Sequence, residues 1–221
     1  MIAAEDGDRF GPLMACLAML SPAQRRFRYC GGRVHVLTPL SFLSASIRLL
    51  WSLACGLCGL LLSGIELIYL SVVSRCRIEA RSGDVLYINP TPWSGPVIGG
   101  AVSHTVGVIA GLVQAGWRVR TLSGLDHSML PQAVRPLGFA DGGDWAPPGE
   151  INLCRHSRRL NAIAVTAVHV EPPAMVYQRL TLGTWPGVAA SRRAACPLIL
   201  EYNGSEVWVA RIVSRFTIEC C

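Results

Sequence analysis

Residues 84–122 read DVLYINPTPWSGPVIGGAVSHTVGVIAGLVQAGWRVRTL. The β-branched and aromatic run at 84–90 is closed by proline, which predicts a strand. Apolar residues then recur at helical spacing over residues 101–115, and Gly116 stands where a helix C-terminal glycine is usual. Residues 117–122 are typical of a second strand. The stretch therefore predicts one βαβ unit with a pair of glycines where its helix begins.

A second unit of the same kind is predicted nearer the end of the chain. Residues 174–180 and 197–203 have the composition of strands, and residues 185–195 between them favour a helix of small residues. Residues 160–168 fit one helical stripe, although their β-branched content leaves a strand open. Strands and helices that alternate in this way predict an α/β fold with a single, doubly wound, Rossmann-like parallel sheet.

Polar residues gather where the last predicted strand ends, in PLILEYNGSEVW at 197–208. The apolar run turns polar at Glu201, Asn203 begins a turn, and Ser205 can cap a helix that starts at Glu206. Ligands of open α/β sheets bind at the carboxyl ends of strands. Two carboxylates, an amide and a hydroxyl at such an end suit a polyhydroxy ligand. An ordinary capped strand-to-helix turn is the alternative.

The glycine pair Gly99-Gly100 precedes the first predicted helix of this unit, and His104 lies one turn inside it. Helix N-termini attract anions, and glycine lets the backbone approach a phosphate or a sugar closely. The alternative for His104 is a half-buried helix residue. For Glu206 it is a favourable charge near a helix N-terminus.

Residues 84–211 resemble the N-terminal half of GT-B glycosyltransferases of the family 4 type. The matching segments are LYINP at 86–90, GGAVSHTVG at 99–107, GL at 111–112, GWRV at 116–119, VYQRL at 176–180 and LEYNGSEVW at 200–208. Their order and spacing suit one Rossmann-like sheet, and they cover a little more than half of the chain.

The resemblance implies retaining transfer of a sugar from a nucleotide-sugar donor to a carbohydrate or lipid-linked acceptor, in a cleft between two Rossmann-like domains. The first domain shapes the acceptor side, and its Gly-Gly loop approaches the donor phosphates. By matching position, the expected catalytic residues are His104 and Glu201, and the expected donor- or acceptor-binding residues are Gly99, Gly100, Asn203, Ser205 and Glu206. No metal and no cofactor besides the donor substrate are expected.

One departure from the family pattern concerns the second, donor-binding domain, which has no counterpart in these 221 residues. The last eleven residues, 211–221, do not continue the pattern. We therefore expect a family member that is incomplete as an isolated chain: a truncated gene product, a fragment, or half of a split enzyme whose partner is a separate donor-binding domain. The alternative is a non-catalytic, membrane-associated half-domain that binds sugar or phosphate, or an inactive remnant.

The composition and the motifs that the sequence lacks exclude several classes of enzyme. All 20 basic residues are Arg, so a P-loop lysine and Schiff-base chemistry are excluded. The sequence has no G-x-G-x-x-G after Ile88 and no G-x-S-x-G, which argues against a dinucleotide oxidoreductase and an α/β-hydrolase. The net charge of +6 is spread along the chain, which favours anionic lipid or phosphorylated ligands over nucleic acid, and no nucleic-acid partner is expected. The nine cysteines form no disulfide framework, and this favours a cytoplasmic protein.

Three regions are predicted along the chain. Residues 1–38 are expected to be poorly ordered, with Asp6-Gly7-Asp8 as a solvated terminus instead of a metal motif. Residues 39–80 form an apolar helix, and residues 81–221 form the truncated glycosyltransferase domain.

The run at 49–73 is long enough to cross a bilayer, although Glu66 counts against this. A membrane span, a helix at the membrane interface and a helix packed on the sheet all remain open. Membrane attachment would place the protein at the cytoplasmic face of the inner membrane.

Overall fold

The computed structural model describes residues 11–20, 27–30, 33–36, 38–72, 83–91, 100–125, 127–138, 149–181 and 183–204. Contacts within the chain group it into two units, the first comprising residues 1–72 with 141–158 and the second residues 73–140 with 159–221. Residues 141–158, which the sequence analysis placed in the glycosyltransferase domain, thus group with the N-terminal segments.

Seven strands and five α-helices are present in the described residues. In chain order they are α1 (Gly11–Leu20), β1 (Phe27–Cys30), β2 (Arg33–Val36), α2 (Pro39–Val72), β3 (Asp84–Ile88), α3 (Gly100–Gln114), β4 (Arg118–Leu122), β5 (Arg135–Pro136), α4 (Gly149–Val170), β6 (Met175–Arg179), α5 (Pro186–Ala194) and β7 (Leu198–Glu201). A short 3₁₀ helix, His127–Met129, connects β4 to β5. The helical alternative for residues 160–168 is confirmed, because they lie within α4.

The second unit contains a five-stranded sheet in the order β5-β4-β3-β6-β7, and every neighbouring pair is parallel. The α/β class and the single Rossmann-like sheet are confirmed. Strand β3, at the centre, is buried along its whole length, as expected for a strand covered on both faces. Strand β5 has only two residues and was not predicted, since so short a run carries no periodic signal.

Helices cover both faces of the sheet, so the doubly wound arrangement is confirmed. Tyr87 and Val119 pack against Ile109 of α3 on one face. On the other face, Leu86 belongs to a core with the second half of α4 and with α5. Alternate residues of β3 thus enter opposite cores, because successive side chains of a strand point to opposite faces.

The chain reverses direction across the sheet between β3 and β6. It runs from β3 outward to β4 and β5, then returns through α4 to β6 on the other side of β3 and continues to β7. Parallel strands bring their carboxyl ends to one edge, and a crevice forms where the strand order reverses. This edge is where the candidate site lies.

The first unit contains regular structure that the sequence analysis did not foresee. Within residues 1–38, for which poor order was expected, α1 is helical and β1 pairs antiparallel with β2. Helix α1 packs against α2, with Cys16 Sγ 3.6 Å from Ser46 Oγ. These elements are only four to ten residues long, so they carry no clean apolar period in the sequence.

Candidate functional site

Two residues that are 97 positions apart in sequence meet at the carboxyl-end edge of the sheet. His104 Nε2 lies 2.8 Å from Glu201 Oε1. His104 is on the second turn of α3, which follows β3, and Glu201 is the last residue of β7. The His104 side chain is 48% exposed, while that of Glu201 is only 10% exposed. A buried carboxylate therefore holds an imidazole ring that remains open to solvent.

The carboxylate of Glu201 is kept ionised by its neighbours. Burial raises the pKa of Glu201, but hydrogen bonds from Asn203, Tyr177 and His104 outweigh burial and hold this pKa below its ordinary value. The Asn203 amide Nδ2 donates to the same Oε1 atom that accepts from His104. His104 of α3, Tyr177 of β6 and Asn203 just after β7 thus converge on one carboxylate, and such charge-assisted contacts orient side chains strongly.

Two stacked tyrosines lie beside this carboxylate. The rings of Tyr87 and Tyr177 have centroids 5.3 Å apart and planes inclined by 17°. Burial raises the pKa of Tyr87 to about 12. Burial also raises the pKa of Tyr177, and the charge of Glu201 adds to the effect. Both phenols are therefore neutral at physiological pH.

Arg179 is a residue of this edge that the sequence analysis missed as a site residue. It ends β6, between the ends of β3 and β7, and its Nη1 donates to the carbonyl of Ala101 at 3.1 Å and to Thr105 Oγ1 at 3.3 Å. The guanidinium therefore lies against the first turns of α3. Its position at the carboxyl end of a predicted strand could have identified Arg179 as a site residue. It was missed because we expected the basic groups of the site to lie in a second domain.

Asn89 organises the start of the β3–α3 connection and was also missed. Its Nδ2 donates to Thr105 Oγ1 at 3.4 Å, and its Oδ1 accepts from the Thr91 hydroxyl at 2.7 Å. The Asn89 backbone N–H donates to the carbonyl of Leu122 at 3.0 Å, which extends the pairing of β3 with β4. Thr105 is therefore a common partner of Asn89 and Arg179.

The structure brings together three of the seven residues predicted for the site: His104, Glu201 and Asn203. Gly100 begins α3, and among the described residues no atom outside its own turn of helix lies within 4 Å of where a Cβ would stand. Gly99, Ser205 and Glu206 fall outside the described residues, and their roles stay predictions. Among the described residues, no group of three or more His, Cys, Asp and Glu side chains is placed to hold a metal ion.

The geometry of the His104–Glu201 pair determines which imidazole nitrogen carries the proton. An ionised carboxylate only accepts hydrogen bonds, so Nε2 of His104 must be the donor to Glu201. In a neutral imidazole the other nitrogen, Nδ1, then has a free lone pair. A half-exposed histidine oriented in this way can accept a proton from a hydroxyl group that binds next to it.

Comparison with known proteins assigns no family to the chain. No family model matches it, and no curated protein matches it. One similar solved structure is the C-terminal domain (residues 78–226) of a hydrogenase from Pyrococcus furiosus, with 16% identity and a TM-score of 0.40, over 57% of this chain and 95% of that domain. A likeness of this size carries no functional information, so a function must be argued from the site itself.

Proposed function

We propose that the chain is the acceptor-side half of a glycosyltransferase, which transfers a sugar from a nucleotide-sugar donor to a carbohydrate or lipid-linked acceptor. The single observation that carries this proposal is the contact between His104 and Glu201, because a buried, ionised carboxylate there orients a solvent-open imidazole. The resemblance of residues 84–211 to family 4 glycosyltransferases supplies the reaction type. A separate donor-binding domain is part of the proposal.

In this proposal His104 serves as the proton acceptor for the acceptor hydroxyl. The hydroxyl oxygen forms a bond to the anomeric carbon of the donor sugar, and the bond from that carbon to the diphosphate breaks. The hydroxyl proton passes to Nδ1 of His104, and the nucleoside diphosphate leaves with the bonding electrons. Glu201 stabilises the imidazolium that results, since its carboxylate is 2.8 Å from Nε2.

The diphosphate side of the cleft would be formed by Arg179 and the start of α3. The guanidinium of Arg179 is held at Ala101 and Thr105, next to the N-terminal turn of a 15-residue helix. A helix N-terminus and an arginine both favour a phosphate group. Open space at Gly100 lets a ligand approach the backbone there.

The test is release of nucleoside diphosphate from UDP- and GDP-sugars by the full chain, mixed with a donor-binding domain of a family 4 glycosyltransferase and a panel of glycan acceptors. His104→Ala and Glu201→Gln should each lower the rate by about 10²–10⁴-fold, the range typical of a positioned general base. His169→Ala is the matched control, because His169 also makes a side-chain hydrogen bond, with Arg193 at 2.9 Å, but lies on α4. An unchanged rate in both site variants would contradict the assignment.

A half-domain that only binds carbohydrate would give a different result. It would bind acceptor glycans on an array, and the Glu201→Gln variant would not. With any donor-binding domain it would release no nucleotide. This outcome would replace the transferase proposal with the binding alternative.

A further inference from the structure

Helix α2 presents an unusually large apolar surface. It has 34 residues, which corresponds to a length of about 50 Å at 1.5 Å per residue. By length and composition it is apolar enough to cross a membrane. Fourteen of its large apolar side chains are exposed, among them Leu50, Trp51, Leu61, Ile65 and Ile68. A water-soluble surface would not leave so many apolar side chains together.

The buried residues of α2 are all small and lie on one stripe of the helix. Its buried residues are Ala45, Ser52, Gly56, Gly59 and Ser63, which follow each other at intervals of seven, four, three and four residues. Arg48 and Glu66, the two charged residues of the helix, continue the same spacing. Residues spaced in this way share one side of a helix. The exposed side that faces away from this stripe therefore carries no charge along the whole helix.

The first half of α4 packs on this stripe and brings two arginines to it. Arg155 Nη1 donates to Ser52 Oγ at 2.7 Å and to the Ser52 carbonyl at 3.3 Å. Arg158 Nη1 lies 3.3 Å from Glu66 Oε2, and its Cδ lies 3.9 Å from where a Cβ on Gly59 would stand. Neither arginine is near an end of α2.

These contacts conflict with a transmembrane orientation. The hydrocarbon core of a bilayer takes up about 20 helical residues. Any 20-residue stretch of α2 includes Ser52 or Gly59, so a spanning α2 would bring at least one arginine of α4 into the hydrocarbon. Arginine is strongly disfavoured there. If the helix instead lies parallel to the membrane, both arginines and both charges of α2 face away from the lipid.

We propose that α2 lies in the plane of a phospholipid bilayer, with its uncharged side in the interface and its small-residue stripe, covered by α4, facing away. Trp51 and Tyr69, exposed by 71% and 62%, add the aromatic side chains that favour this zone of a membrane. The occupant of the apolar surface is therefore lipid. The inference is independent of the sugar-transfer proposal, because none of its residues belongs to the His104 site.

Topology reporters on the full chain test this orientation. Green fluorescent protein and alkaline phosphatase are fused in turn before Met1 and after Cys221, and the fusions are expressed in a bacterium. We expect the protein in the membrane fraction, with fluorescence and no phosphatase activity at either end, since an in-plane helix leaves both ends in the cytoplasm. Phosphatase activity at one end would show a spanning helix, and a protein found only in the soluble fraction would show no membrane binding. Either result would overturn the proposal.

Purified protein and phosphatidylcholine vesicles provide the second test, by co-sedimentation. Leu61→Glu places a charge on the lipid-facing side, at a side chain that is 71% exposed, and should lower the vesicle-bound fraction at least tenfold. Val170→Glu is the matched control, because Val170 is an apolar residue of similar exposure, 79%, at the end of α4. The vesicle-bound fraction of this variant should equal that of the unmodified chain. Equal binding of Leu61→Glu and the unmodified chain would overturn the proposal. The reporter experiment needs no variant, so the orientation stays testable if Leu61→Glu fails to fold.

Discussion

Gly187, in the first turn of α5, lies directly against the buried side chain of Gln178. Its N–H donates to Gln178 Oε1 at 2.5 Å, and Gln178 Nε2 donates to the carbonyl of Thr184 at 3.4 Å. One glutamine thus connects β6 to the turn that precedes α5. A Cβ at position 187 would stand 2.5 Å from Gln178 Oε1 and 2.9 Å from Gln178 Cβ, so the site requires glycine for space.

Gly187→Ala should therefore lower the free energy of unfolding by about 1–3 kcal/mol, the range for overpacking a filled core. Gly111→Ala is the matched control, because Gly111 lies in α3 with no atom within 4 Å of its Cβ position. It should raise the free energy of unfolding by about 0.5–1 kcal/mol, since alanine is the better helix former. Urea titrations measure both. Equal effects of the two substitutions would contradict this assignment.

The ionisation of Glu201 predicts how stability depends on pH. The pKa of Glu201 in the folded protein is lower than its ordinary value of 4.5, so the stabilisation that the carboxylate contributes is present above this value and is lost as pH falls through the folded pKa. The free energy of unfolding should decrease more steeply below about pH 4.5 in the unmodified chain than in Glu201→Gln. Urea titrations between about pH 3 and pH 7 test this. A constant difference between the two proteins at all pH values would show that Glu201 titrates normally.

At the scale of elements, hydrogen bonds from Arg120 of β4 connect the end of α4 to the sheet. It is almost fully buried, and its guanidinium donates to the carbonyls of Ala167 at 3.3 Å and Glu171 at 2.5 Å. Its Nε lies 3.4 Å from Asp84 Oδ2. The Ala167 carbonyl also accepts from the Glu171 N–H at 3.1 Å, so Arg120 adds a second donor there and supplies one to the Glu171 carbonyl just past α4, as a C-terminal cap does.

Arg120→Met should destabilise the protein by about 3–5 kcal/mol, because it leaves buried polar partners without their cation. Arg118→Met is the matched control. Arg118 Nε also contacts Asp84, at 2.8 Å, but its side chain is 77% exposed, so the loss should be below about 1 kcal/mol. Thermal unfolding followed by circular dichroism compares the two. A similar loss of stability in both variants would indicate that the buried contacts of Arg120 stabilise the protein no more than the exposed contact of Arg118.

At the scale of the whole molecule, the net charge of +6 and the uncharged side of α2 predict different kinds of membrane binding. Attraction between a basic protein and anionic lipid is largely screened at about 1 M salt, where the Debye length is near 3 Å. Insertion of apolar side chains is not weakened by salt. We therefore expect vesicle binding to persist at about 1 M NaCl, and to differ less than tenfold between neutral and anionic vesicles. Release by salt would assign the binding to charge instead of to α2.

Local patterns allowed most of the sheet unit to be predicted. Apolar periodicity and closing glycine or proline residues identified β3, α3, β4, β6, α5 and β7 within a few residues of their observed bounds. The same patterns placed His104 one turn inside the helix that became α3, and Glu201 at the end of the strand that became β7. Strand β5 and the first half of α4 were not predicted, because one is too short for a period and the other, with Arg155, His156 and Arg158, has no apolar stripe of its own.

The sequence alone determined which segments become strands and helices and which polar residues stand at the ends of strands, because these depend on neighbours along the chain. Only the tertiary structure decided that His104 and Glu201 meet at 2.8 Å, with Arg179 on the strand between them, since strand order is set by packing between distant segments. It also decided that Arg155 and Arg158 lie against the middle of α2. The hydropathy of a segment depends only on the residues of that segment. It therefore could not predict the polar partners of α2, which are about a hundred positions away in the sequence.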